Sequence, residues 1–186
     1  MAETAKKRAT YEDLLAVPDG MVAQIIDAEL VVMPRPASAH ARSASRLGMD
    51  LGSPFDRGKG GPGGWIILDE PELHLRADVL VPDLAGWRRE RMPELPHTPA
   101  FTLAPDWVCE VLSPSTQSID RVRKMNIYAR EGVAHAWLLD PNAQTLEVYQ
   151  LSGEHWIRSG SWEGAATVRA EPFDAIELEL AGLWER

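Results

Sequence analysis

The stretch Pro105-Asp106-Trp107-Val108-Cys109-Glu110-Val111-Leu112-Ser113-Pro114-Ser115-Thr116 decides how the rest of the chain is understood. Its apolar part, Trp107 to Leu112, is short, bulky and branched, with proline nearby on both sides, which predicts a β-strand. Both faces are apolar, as in a strand covered above and below. Glu110 sits in its middle. A carboxylate there must be protonated, paired or bound to a cation, because an unpaired buried charge is too costly. Upstream, Val79-Leu80-Val81-Pro82-Asp83-Leu84-Ala85-Gly86-Trp87 is a second apolar run broken by one acid, Asp83. Two such runs point to a shared divalent cation, since hard ions such as magnesium take carboxylate oxygens and water.

Downstream of Glu110, Ser115 or Thr116 is expected to cap a helix that runs to about Glu131 and stops at Gly132. Ile119, Val122, Met125 and Ala129 recur at three- and four-residue steps and mark its expected buried face. Asp120, Lys124 and Tyr128 step by four and share another face. Asp120 and Lys124 are then a surface ion pair contributing about 0.3–0.5 kcal/mol; alternatively, Lys124 leans back toward Glu110 from the same end of the sheet. Residues 135–140, 146–151 and about 155–162 come next as strands of an antiparallel meander. Leu178, Leu180 and Leu183 alternate along the core or cap it.

Upstream, Thr10 caps a short helix closed by Pro18-Asp19-Gly20. Residues 22–26 and 30–33 are two strands joined at Asp27-Ala28-Glu29. Small and apolar residues from 37 to about 55 suit a packed helix, with His40 and Arg42 near its start. The glycine-rich segment 58–64 lacks the Gly-Lys-Ser/Thr ending of a phosphate-binding loop and is expected to be a flexible turn. Residues 65–68, 73–75 and 79–87 are successive strands. Residues 88–99, with three prolines, form an irregular excursion.

A length of 186 residues suits one domain spanning 1–186, with its core between about 10 and 162. Hydrophobic residues at 45% and charged residues at 25% exclude a disordered chain. The single cysteine, Cys109, excludes an intrachain disulfide framework and a cysteine-based zinc site. No run is long enough to span a membrane, and Ala2-Glu3-Thr4-Ala5-Lys6-Lys7-Arg8 holds no apolar leader, so a cytoplasmic protein is expected. A net charge of −9 argues against nonspecific coating of nucleic acid. Basic residues do cluster at Arg35, Arg42, Arg46, Arg57 and Lys59, at Arg88, Arg89 and Arg91, and at Arg121, Arg123, Lys124 and Arg130. Such clusters are either solvated faces or a local basic surface around a metal site, which the net charge does not exclude.

Together these runs resemble the Uma-two family of restriction-endonuclease-like proteins, within the PD-(D/E)xK nuclease superfamily. The resemblance is carried by Val81-Pro82-Asp83-Leu84, by Cys109 through Thr116, by Asp120 through Lys124 with Tyr128, by Gly132-Val133 and by Trp137-Leu138-Leu139-Asp140-Pro141. Ile26-Asp27-Ala28-Glu29-Leu30-Val31-Val32-Met33-Pro34 and His40 match its N-terminal signature. The resemblance implies an α/β (α+β) fold, a mixed central sheet flanked by helices, with Asp83 and Glu110 as the acidic pair. The superfamily lysine, two residues after the acid, is Leu112 here; the resembling family carries it on the following helix, which implies Lys124. Ala28, where glycine is usual, and His135-Ala136 before Trp137 are further departures, neither touching the implied chemistry.

By the same resemblance, the expected activity is that of a metal-dependent endonuclease acting on DNA. Asp83 and Glu110 would hold Mg2+ or Mn2+, with the Val111 carbonyl as a third protein ligand, and Lys124 would orient water or neutralise developing charge. Glu29, His40 and Asp120 are accessory candidates, and a homodimer is expected by resemblance. The alternatives are a catalytically inactive nuclease-like module for binding or assembly, and a Glu110–Lys124 ion pair that only supports the core.

Overall fold

The computed structural model describes residues 8–185; residues 2–7, on which the leader reading largely rests, lie outside them. In chain order, α1 (Tyr11–Leu15) precedes the hairpin β1 (Met21–Ile26) and β2 (Glu29–Pro34), and α2 (Ser38–Leu51) follows. Next come β3 (Trp65–Asp69), β4 (Glu72–Leu75), β5 (Asp78–Leu80), β6 (Leu84–Arg88), β7 (Ala100–Phe101) and β8 (Trp107–Val111). The helix after β8 opens on a π-helical segment, Ile119–Lys124, and continues as α3 (Met125–Arg130). Then β9 (His135–Asp140), β10 (Thr145–Ser152), β11 (His155–Glu163), β12 (Thr167–Val168), β13 (Leu178–Glu179) and α4 (Ala181–Trp184) complete the order.

Six strands form the main sheet, ordered β11-β10-β9-β8-β6-β3, and five form a second, ordered β2-β1-β5-β4-β7. The expected mixed sheet is present: in the main sheet β8 and β9 run parallel, while the other neighbours are antiparallel. A parallel pair needs a crossover, and the helix after β8 supplies it. Alternation along β8 then sorts two cores. Trp107, Cys109 and Val111 join Leu47 and Leu51 of α2 on one face. Val108 and Leu112 join Met125, Ile127 and Tyr128 on the other. Three tryptophans ring Phe173 in the first core, with centroids at 4.8 Å (Trp65), 4.9 Å (Trp107) and 5.6 Å (Trp137). Leu178, Leu180 and Leu183 are buried there too, so the core continues well past residue 162.

Local chemistry explains several elements. Thr10 and Asp13 form a reciprocal capping box at α1. Gly63 N–H donates to the Pro54 carbonyl at 2.9 Å, which folds the glycine-rich loop against the π-helical segment Gly52–Asp56 that continues α2. The β1–β2 hairpin turns through Asp27 and Ala28, with φ of 52° and 62°. Two consecutive positive φ values define the turn that matches strand twist, and glycine is the favoured second residue.

Three expectations are corrected. Residues 79–87 are not one strand: the chain leaves β5 in the second sheet, crosses through Val81, Pro82 and Asp83, and enters β6 in the main sheet. Proline lacks the N–H that a continuous ladder requires. Val122 is 57% exposed, whereas Asp120 and Lys124 are buried; the polar stripe faces inward because it surrounds Glu110. Neither Ser115 nor Thr116 caps the helix by its side chain. Main-chain carbonyls of Ser113 and Thr116 close the first turn.

The left-handed backbone at Ala28 predicts that Ala28→Gly raises stability by up to about 1 kcal/mol, read as an increased urea midpoint.

Candidate active site

Glu110 and Asp83 meet because of register. The last β6–β8 ladder pair is Leu84 with Cys109. One step further, Asp83 lies opposite Glu110, and alternation turns both side chains to the face away from Cys109. The Val111 N–H donates to Asp83 Oδ2 at 2.7 Å, fixing the carboxylate across the seam between the sheets. His40, carried by the first turn of α2, places Nε2 3.4 Å from Asp83 Oδ1. Its Nδ1 is buried without a partner among the described residues.

Glu110 is 2% exposed and bound at both oxygens. Lys124 Nζ donates to Oε2 at 2.7 Å, and Tyr128 Oη donates to Oε1 at 2.5 Å. Lys124 also lies 3.5 Å from Asp120 Oδ1 and 3.4 Å from the Val81 carbonyl. The wide π-helical turn carries Asp120 and Lys124 inward together, and such turns recur at functional sites. A surface pair between these two residues is therefore ruled out.

The electrostatics follow from burial. Burial pushes the Glu110 carboxyl up to about 8; the Lys124 ammonium opposes this, while the Asp120 and Asp83 charges add to it. Burial also raises Asp83, against His40, Lys124 and the Val111 N–H. Burial disfavours the Lys124 ammonium, yet the Glu110 and Asp120 carboxylates outweigh it and hold the pKa above the ordinary lysine value. Three carboxylates thus converge on one ammonium, and a proton or a further cation must take up the excess.

The cluster opens into a cavity of about 310 Å³ bounded by the β1–β2 hairpin, the start of α2 and the loop after β8. Asp83, Glu110, Lys124 and His40 all line it. Glu29 does not: it stands at the opposite end of the hairpin, five register steps from Pro34, about 17 Å away. There its carboxylate lies 3.2 Å from Arg123. Among the described residues, no group of three or more His, Cys, Asp and Glu side chains forms a metal cage. Tyr128 and Gln24 were not foreseen as site residues. Gln24 is a single polar residue in the apolar run of β1, the same signal that singled out Glu110.

A domain with this mixed α+β fold and paired acids at the seam of two sheets belongs to a recognisable class. The family model described as "Putative restriction endonuclease" (Uma2) matches residues 8–181, and the chain belongs to that family. The crystal structure of a protein from Anabaena variabilis, described as a "putative nuclease belonging to DUF820", superposes with a TM-score of 0.76. It is 21% identical, over 95% of this chain and 97% of that one, and the likeness shows the fold. No curated protein matches the sequence. Among the described residues, no helix is long and apolar enough to cross a membrane.

Because the folded pKa of Glu110 exceeds its ordinary 4.5, its proton is held more tightly in the folded state. The stability this adds is full below about pH 4.5 and is lost as pH rises through about 8. Metal-free protein is expected to lose urea stability from about pH 5 to pH 8, and Glu110→Gln to flatten that slope.

Proposed function

We propose that this chain is a metal-dependent nuclease that hydrolyses phosphodiester bonds of DNA. The observation that carries the reading is the buried excess of carboxylate charge around Lys124 at the wall of an open cavity. The donor set fits a hard divalent cation: two carboxylates, Asp83 and Glu110, line the cavity, and the carbonyl of Val111, next in sequence to Glu110, would be the third donor. Magnesium ordinarily takes one or two carboxylates and leaves its other positions to water and substrate phosphate, so a full protein cage is not required. Each Glu110 oxygen that accepts a hydrogen bond keeps a second lone pair for an ion.

Asp83, Glu110 and the Val111 carbonyl would hold Mg2+ or Mn2+. Once bound, the ion supplies Lewis-acid polarisation of the phosphoryl oxygen and lowers the pKa of water. The protein's own groups do the rest. The Val111 N–H fixes Asp83 through Oδ2 and leaves Oδ1 toward His40. Tyr128 and Lys124 clamp Glu110 in one rotamer, so its direction is set before an ion arrives. The Lys124 ammonium offsets part of the repulsion between the acids and offers a cation to charge developing on phosphate. Asp120 holds Lys124 from behind.

One observation favours a structural role for the pair: Lys124 is 2% exposed and already satisfied by Glu110 and Val81. The two roles separate in Lys124→Met. A purely structural lysine predicts lost stability with cleavage intact in the folded fraction.

A purified-protein assay with Mg2+ or Mn2+ is expected to show cleavage of DNA. Asp83→Ala and Glu110→Ala are each expected to reduce it by more than the about 10–100-fold that loss of an outer partner costs. Cleavage unchanged in both variants would remove the assignment.

A further inference from the structure

Beyond the acids, the cavity has a second wall of different chemistry. Val22 of β1 and Met33 of β2 are a cross-strand pair, and with Pro34, Pro36 and Pro114 they line an apolar recess. Gln24, two residues along β1 and so on the same face as Val22, also lines it and is 2% exposed. Its Oε1 accepts the Val81 N–H at 2.9 Å. Its side-chain NH2 group makes no hydrogen bond to the described residues and remains available at the cavity wall. Arg35 stands at the same rim.

We propose that this recess receives one unpaired nucleobase of the substrate, held beside the phosphate presented to Asp83 and Glu110; this rests on the nuclease reading. Apolar walls with one amide donor suit a flat heterocycle that brings a carbonyl oxygen or ring nitrogen to Gln24. A purely apolar ligand would shut water away from the amide and leave it unpaired. A base stacked within a duplex cannot enter a concave recess and must first be extruded, so the pocket selects single-stranded or locally unpaired nucleic acid. Arg35 supplies a cation for the adjoining backbone phosphate. Gln24 also ties the recess to the site, since its other end holds the amide of Val81, whose carbonyl lies beside Lys124.

The test is binding in the presence of chelator, where cleavage plays no part. The probe is a short DNA strand carrying a fluorescent adenine analogue, offered alone and in a duplex. The single strand is expected to bind at least about tenfold tighter, with a change in analogue emission, because a paired base must first be unstacked. Met33→Trp, which fills the recess from a half-buried hairpin position, is expected to abolish the preference with the far-ultraviolet circular dichroism unchanged. Gln24→Met should weaken single-strand binding more than duplex binding. Equal affinity of the wild-type protein for the two forms would overturn the proposal, as would a preference intact in folded Met33→Trp. The Asp83→Ala cleavage assay reads the nuclease assignment separately: a strand preference without metal-dependent cleavage supports the base pocket and removes the nuclease.

Discussion

A carboxylate in the middle of a sheet covered on both sides has few ways to exist, and much of this molecule follows from how Glu110 is accommodated. Its two oxygens are occupied by an ammonium and a phenol delivered from one helix. For that helix to supply both, its polar stripe must turn inward and its apolar Val122 outward. The π-helical segment carries Lys124 and Asp120 to the same place. Removing one partner of such a pair is strongly destabilising, whereas replacing the whole pair is often neutral. Cluster and helix orientation are therefore set together.

The acids were legible because each broke an apolar run, and a broken run is a local property of the sequence. The hairpin at Asp27-Ala28 and the extent of α2 were legible for similar reasons of turn chemistry and small-residue packing. The face of the helix after β8 was not. Hydrophobic periodicity finds the stripe that avoids water and has no term for a polar stripe buried around another charge. The division of residues 79–87 between two sheets was hidden because both halves are equally apolar; Pro82 was the only local mark of the break. Basic clusters likewise revealed nothing of their partners. Arg121, Arg123 and Arg130 meet Glu147, Asp27 and Asp78, all remote in sequence.

The two faces of the main sheet divide their tasks. One carries α2 and the aromatic packing of Trp65, Trp107 and Trp137 about Phe173, a dense apolar layer. The other carries the cluster of acids around Lys124 and faces the second sheet across Tyr128 and Leu138. Strand β8 belongs to both layers, with Cys109 and Val111 in the first and Glu110 between them in the second. Dense packing on one side restrains the side chains presented on the other, as the narrow tolerances of a catalytic constellation require.

The crossing at Val81, Pro82 and Asp83 has a mechanical consequence. These residues are the short link between the sheets, and all three of their neighbours at the centre are anchored elsewhere: Gln24 on β1, Val111 on β8 and Lys124 on the crossover helix. Hinge-bending of one sheet against the other would therefore strain these bonds, together with the Arg123 and Arg130 contacts from the crossover helix to the second sheet. A change in the angle between the two sheets would then reach the acids first through Asp83, which sits in the link itself.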